Sequence, residues 1–126
     1  MPVLLNHTIV WCSNPARSAR WLASILGRPA PVRFGPLEVV HLDNQIALDF
    51  AAANGPIQSQ HYAFLIGEDD FDAIFDRIRE QHLGYWADPR RKHAGEINRD
   101  DGGRGVYFAD PDDHLLELIT RPYGGS

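Results

Sequence analysis

At 126 residues the chain fits one domain and is long enough to bury a core without covalent staples. Its 12 basic and 17 acidic residues, a formal charge of −5, lack the basic footprint of a nucleic-acid binder, and no apolar run approaches the ~20 residues of a membrane span. Cys12 is the single cysteine, which excludes an intrachain disulfide; together with an opening Met-Pro-Val-Leu-Leu that is unlike a signal peptide, this gives the expectation of a cytoplasmic protein.

Residues 7–12 alternate and are rich in β-branched and aromatic types, so they read as a strand. Cys12 within it reads as a small buried hydrophobe. Asn14-Pro15 is a helix start, with Asn14 as cap and Pro15 at the first helical position. Ala19, Leu22, Ile25 and Leu26 recur at helical spacing, and Gly27 can close the helix. Three short strands are predicted next, over 32–34, 37–42 and 45–50, divided by the turn signals Gly35-Pro36 and Asp43-Asn44. Residues 51–59 are small and polar and read as a linker.

The pattern then restarts. Residues 61–66 form a strand, and Glu68-Asp69-Asp70 suit the positive end of a helix dipole. Phe71, Ile74, Phe75 and Ile78 mark a buried stripe, with Gly84 as the expected stop. Strands are predicted at 85–87, 105–109 and 115–120, with a long polar hairpin or mobile loop over 88–105. The chain therefore reads as one β-α-β-β-β unit written twice, with modules at about 5–52 and about 60–122 inside a single domain spanning 1–126.

The repeat places chemistry in equivalent positions. His7 and His61 each begin the first strand of a half, and Asp49 and Glu117 each sit mid-way along the last. Alternation puts His7, Ile9 and Trp11 on one strand face, and His61, Ala63 and Leu65 on another. A carboxylate amid leucines is costly unless paired, and a divalent cation is one such partner. Two histidines and one carboxylate form the facial set of non-haem iron; a second carboxylate would suit zinc, nickel, manganese or cobalt as well. Taken singly, either histidine would be a strand-edge residue bonded to a neighbour. His41 and His114 flank turns and read as solvated. Arg90, Arg91, Lys92 and His93, with Arg99 and Arg104, form either a wet surface or a lid for an anionic substrate. Gly102-Gly103-Arg104-Gly105 lacks dinucleotide spacing, and no Ser-His-Asp nucleophile motif is present.

Residues 105–119, Gly-Val-Tyr-Phe-Ala-Asp-Pro-Asp-Asp-His-Leu-Leu-Glu-Leu-Ile, match an aromatic strand, Asp-Pro-Asp-Gly turn and Leu-Glu-Leu strand motif. With His7-Thr8-Ile9 and the following Pro-Ala-Arg-Ser-Ala helix, the chain resembles the vicinal oxygen chelate superfamily (glyoxalase, bleomycin resistance, extradiol dioxygenase). Asp113 stands at the usual turn glycine, Trp21-Leu22 at a common Phe-Tyr, and Asp49 where the lyases carry a longer Glu or Gln. The resemblance implies an α+β fold of two β-α-β-β-β modules pairing into a half-barrel cleft. It implies metal ligation by His7, His61 and Glu117, with Asp49 at the fourth position. It makes Tyr107 a substrate-orienting or acid–base residue, and Glu117 or Asp49 a proton shuttle. The activity it implies is a divalent-metal enzyme on a small oxygen-chelating substrate, leaning to an extradiol-type dioxygenase with Fe2+; Zn2+, Ni2+ or Mn2+ would accompany a glyoxalase-type lyase or isomerase. A thiol-transfer enzyme against an epoxide antibiotic is less favoured. A non-catalytic bleomycin-resistance-like binder is the competing class; Trp11, Trp21 and Trp86 could line its groove but read first as core residues. Both classes imply a homodimer.

Overall fold

The local signals at Asn14-Pro15 and Gly27 set the first helix. The structure, a computed structural model, describes residues 1–124 and divides into two compact units, Met1–Ile57 and a second from Gln58 onward. In the first unit the order is β1 (His7–Cys12), α1 (Pro15–Leu26), β2 (Val32–Phe34), β3 (Leu37–His41) and β4 (Ala47–Ala52). The Asn14 side chain accepts from the Arg17 N–H at 3.1 Å, satisfying a donor that the helix itself cannot. Gly27 takes the left-handed conformation at φ 67°; the Arg28 N–H then reaches the Ala23 carbonyl at 2.8 Å and ends the helix.

The four strands form one sheet in the order β1-β4-β3-β2, with β1 parallel to β4 and the other pairs antiparallel. Ala19, Leu22, Ala23, Ile25 and Leu26 of α1 are buried, as are Val10, Cys12, Val40, Leu48 and Phe50 from alternate strand positions. Each large side chain withdrawn from water in this way contributes about 1.5–3 kcal/mol. β4 runs two residues further than its hydrophobic pattern indicated, because Ala51 and Ala52 pair with Trp11 and Cys12. The Cys12 thiol donates to the Ala51 carbonyl at 3.4 Å.

The second unit repeats this order: β5 (His61–Leu65), α2 (Glu68–Glu80), β6 (Tyr85–Trp86), β7 (Gly105–Ala109) and β8 (Leu115–Ile119). Its sheet runs β5-β8-β7-β6, again with the first and last strands parallel. Phe71, Ile74 and Ile78 of α2 are buried, together with Val106, Phe108, Leu116 and Leu118 of the sheet. Phe75 meets the Tyr85 ring edge-on at 5.0 Å. Arg104, just before β7, ties down the start of α2. It bonds Glu68 at 2.7 Å, Asp72 at 2.8 Å and the Glu68 carbonyl at 3.1 Å, while its guanidinium lies 4.4 Å above the Phe71 ring.

α2 does not extend to Gly84. The left-handed closing residue is His82, at φ 56°. The Leu83 N–H bonds the Ile78 carbonyl at 3.1 Å and the His82 N–H bonds the Arg79 carbonyl at 3.0 Å, the paired bonds of a Schellman ending.

The segment from Ala87 to Arg104 is folded rather than an open hairpin. The Asp88 carboxylate accepts from the Lys92 and His93 N–H groups at 3.0 and 2.8 Å. Asn98 exchanges both backbone bonds with Gly105 and donates its side-chain amide to the Ala87 carbonyl at 2.8 Å. Gly105 is required there, since a Cβ would sit 2.8 Å from Asn98 Oδ1.

Two outcomes follow from these anchors. A non-glycine residue in the left-handed region costs roughly 1–2 kcal/mol, so His82→Gly should raise the melting temperature by roughly 3–5 °C; a fall would refute the assigned ending. Glu68 is held below its ordinary pKa, first by a hydrogen bond with Thr120 and then by Arg104, and Asp72 is held low by Arg104. A carboxylate with a depressed folded pKa stabilises above its unfolded pKa of about 4 and loses that contribution as pH falls through the folded value. Melting curves taken from neutral pH downward should therefore drop on the acid side, and Arg104→Gln should make that drop shallower. An unchanged acid slope would show that Arg104 is not the anchor.

Candidate metal centre

The parallel pairing of each unit fixes a histidine and a carboxylate at the same offset. On β5 and β8, His61 pairs with Leu115 and Ala63 with Glu117. On β1 and β4, His7 pairs with Ala47 and Ile9 with Asp49. Side chains two residues apart share a strand face, so each unit presents one imidazole and one carboxylate on the face turned away from its buried layer.

In the second unit these groups meet. His61 Nε2 lies 3.0 Å from Glu117 Oε1, and His61 Nδ1 lies 3.0 Å from the Leu115 carbonyl. A carbonyl oxygen can only accept, so the ring proton is on Nδ1. In the neutral ring, Nε2 is then a bare lone pair aimed at a carboxylate oxygen. Two acceptors at that distance require a positive particle between or beside them, either a proton or a metal cation. The histidine side chain is 48% exposed and the carboxylate 16%, so the pair is open on one side and held on the other. Donation of the second ring nitrogen to a backbone carbonyl is also how metal-binding histidines are oriented. The donor set therefore fits a divalent cation.

Tyr107 stands directly across from Glu117 on β7. Its ring stacks against His61, with centroids 6.0 Å apart at 25°. Burial first, then the neighbouring Glu117 carboxylate, push the Tyr107 phenol far above its ordinary pKa.

The first unit repeats the pattern with differences. His7 is exposed, and its Nδ1 lies 2.8 Å from Asn6 Oδ1. That acceptor fixes the same tautomer and again leaves Nε2 as the outward lone pair. Asp49 is half-buried and lies across from Val39, where Glu117 has Tyr107. Among the described residues, no three His, Cys, Asp or Glu side chains gather into one metal-binding group; the structure brings together His61 with Glu117.

Other sequence expectations resolve differently. His114 is not solvated but only 1% exposed. Its Nδ1 accepts from the Gln60 N–H at 3.0 Å, and its ring meets Tyr62 edge-on at 5.8 Å. Its burial came from a partner 54 positions earlier, which a turn-flanking position does not signal. Asp110 accepts from the Asp112 and His114 N–H groups at 2.9 and 2.8 Å; burial raises its pKa against those bonds. Within the basic stretch, Arg91 bonds Asp113 at 2.6 Å and lies over the Trp86 ring, and Arg104 is committed to α2. Trp11 is not in the core: it is 51% exposed, on the same strand face as His7. The two signals that sequence reasoning passed over are Asn6 and the Leu115 carbonyl, the acceptors that set the two tautomers.

Residues 4–118 match the family model for the Glyoxalase/Bleomycin resistance protein/Dioxygenase superfamily. Two solved structures are similar along their whole length. Oxidase ChaP-H1 is 58% identical, covering 98% of this chain and 100% of that one, with a TM-score of 0.96. Oxidase ChaP-H2 is 54% identical, covering 100% of both, with a TM-score of 0.97. Glutathione transferase FosA of Serratia marcescens is 27% identical over 120 residues, 90% of this chain and 78% of its own length. The two four-stranded sheets and two helices are the α+β arrangement of that superfamily. The chain belongs to the glyoxalase, bleomycin resistance and dioxygenase superfamily.

Proposed function

We propose that the chain is a divalent-metal-dependent oxidising enzyme acting on a small substrate with adjacent oxygens, with His7, His61 and Glu117 as the metal ligands. The observation that carries this reading is the approach of His61 Nε2 to Glu117 Oε1 at 3.0 Å, two groups whose facing lone pairs are satisfied by a proton or by a metal cation. His7 repeats the strand position, the register and the Nε2 lone pair of His61, which supports its inclusion among the ligands. Asp49 is the candidate fourth ligand, one methylene shorter than Glu117 and paired across from Val39. Oxidation is preferred among the superfamily's reactions because the chain is 58% identical to Oxidase ChaP-H1 over its length. Fe2+ is accordingly the favoured metal, and dioxygen chemistry of the extradiol type the favoured reaction class. The likeness to FosA supports thiol transfer as the second reading.

The residues divide the work as follows. The Leu115 carbonyl and Asn6 hold the two imidazoles with their Nε2 lone pairs outward. Glu117 supplies the negative charge. When bound, a divalent cation supplies Lewis-acid polarisation of the substrate oxygens. Trp11, exposed on the same strand face as His7, is available as an apolar wall for the substrate.

Metal analysis of protein prepared without a chelating tag tests the proposal. About one equivalent of iron per site is expected for a facial two-histidine, one-carboxylate set. His7→Ala, His61→Ala and Glu117→Gln should each remove most of it, and Asp49→Asn should cost less than Glu117→Gln. Retention of bound metal in His61→Ala and Glu117→Gln would overturn the ligand assignment. Failure to bind any divalent metal would overturn the enzyme and leave a metal-free binder. Oxygen uptake against glutathione consumption then separates oxidation from thiol transfer.

A further inference from the structure

We infer that Trp86 and Arg91 form a second binding subsite on the second unit, one that takes an aromatic ring carrying a carboxylate. It lies along the same sheet face as Glu117 and holds the far end of a substrate whose adjacent oxygens meet the metal. That link to the substrate rests on the metal reading given above; the subsite itself does not.

The strand registers set the line. Ala63 pairs with Glu117, Glu117 with Tyr107, and Tyr107 with Trp86. Directly opposite residues point to the same side of a sheet, so the four side chains form one row. Two strand spacings put the Trp86 backbone about 10 Å from that of Glu117. β6 is the edge strand at that end. The Trp86 indole is half-buried and lies against Gly84, where an added Cβ would come within 3.3 Å of the ring. The missing side chain gives the ring its place.

Arg91 is set over that ring. Its guanidinium carbon stands 4.8 Å from the ring centroid, and Nη2 bonds the Asp113 carboxylate at 2.6 Å. The turn that carries it is fixed by Asp88, whose carboxylate accepts from the Lys92 and His93 N–H groups. Arg91 itself takes the left-handed backbone at φ 60°, which is unfavourable for a residue with a Cβ. An ion pair to a carboxylate that is 67% exposed returns little. Stability therefore does not account for the arrangement. Its product is a planar cation held over an indole beside the row that carries Glu117. A guanidinium has five N–H donors, and the bond to Asp113 uses one of them. A carboxylate matches the remaining fork, and a ring attached to it stacks against the indole.

The probe is 2-naphthoate, which has the ring and the carboxylate but no adjacent hydroxyls. It is titrated calorimetrically into chelator-treated protein, with the Trp86 indole N–H resonance as a second readout. The parent chain should bind it and shift that resonance. Arg91→Gln should bind roughly 10- to 100-fold more weakly and melt close to the parent. Trp86→Leu should bind roughly 3- to 10-fold more weakly. Lys92→Gln, one position along the same turn, should bind as the parent does. No binding by the parent, unchanged binding by Arg91→Gln, or an equal loss in Lys92→Gln would overturn the subsite; the last outcome leaves a basic surface only. The link to the substrate is read in Co2+-loaded protein with a biphenyl bearing two adjacent hydroxyls on one ring and a carboxylate at the far end of the other. This ligand should bind roughly 10-fold more tightly than the same biphenyl without the carboxylate, and Arg91→Gln should erase that gain while keeping its Co2+. A gain that survives in Arg91→Gln would break the link. If His61→Ala and Glu117→Gln hold Co2+ as the parent does, the metal reading fails, and the naphthoate titration still decides the subsite.

Discussion

The parallel pairing of the first and last strand in each unit is the constraint on which the site depends. Strands that pair in parallel need a long crossover, and here the helix and two intervening strands supply it. The crossover delivers the last strand beside the first with the histidine pair-partner two residues before the carboxylate, in both units. A slip of one residue in either pairing would turn the carboxylate toward the buried layer, among Leu48 and Phe50 or Leu116 and Leu118. The hydrophobic alternation that builds the core therefore also aims the histidines and carboxylates. No separate device is needed to bring His61 and Glu117 together.

What surrounds that pairing keeps it in register. Arg104 joins the start of β7 to the first turn of α2 through two carboxylates and an aromatic ring. The turn between β7 and β8 is closed by Asp110, which accepts from two backbone N–H groups. His114 then ties that turn to Gln60, the residue before β5. Since β7, β8 and β5 carry Tyr107, Glu117 and His61, these bonds hold the same three strands that carry the site. Asp113, at φ 66°, takes the left-handed turn position without a glycine, as Asp can; its carboxylate meets Arg91.

The sequence was most legible where a signal is local. Asn14, Pro15 and Gly27 bracket α1 because capping is decided within a few residues. The repeat was legible because it is written twice, and with it the pairing of His61 with Glu117. Tertiary contacts were not legible. His82 closes α2 ahead of Gly84 because Leu83 and His82 find carbonyls on the preceding turn, although composition alone favours the glycine. His114 was read as solvated because its partner lies across the unit at Gln60. The basic stretch was read as a whole, whereas Arg91 and Arg104 are spent on separate carboxylates.

Sulfur occurs at two positions in this chain, Met1 and Cys12. Met1 is fully exposed, and Cys12 has no exposed surface. Stepwise thiol oxidation begins with a thiolate that an oxidant can reach, and burial in an apolar layer denies both the charge and the access. Around a centre that handled dioxygen or peroxide, stray oxidants would meet no reactive thiol in this fold. The one cysteine is placed so that its chemistry is silent, and the core that silences it is the same layer that sets the strand register.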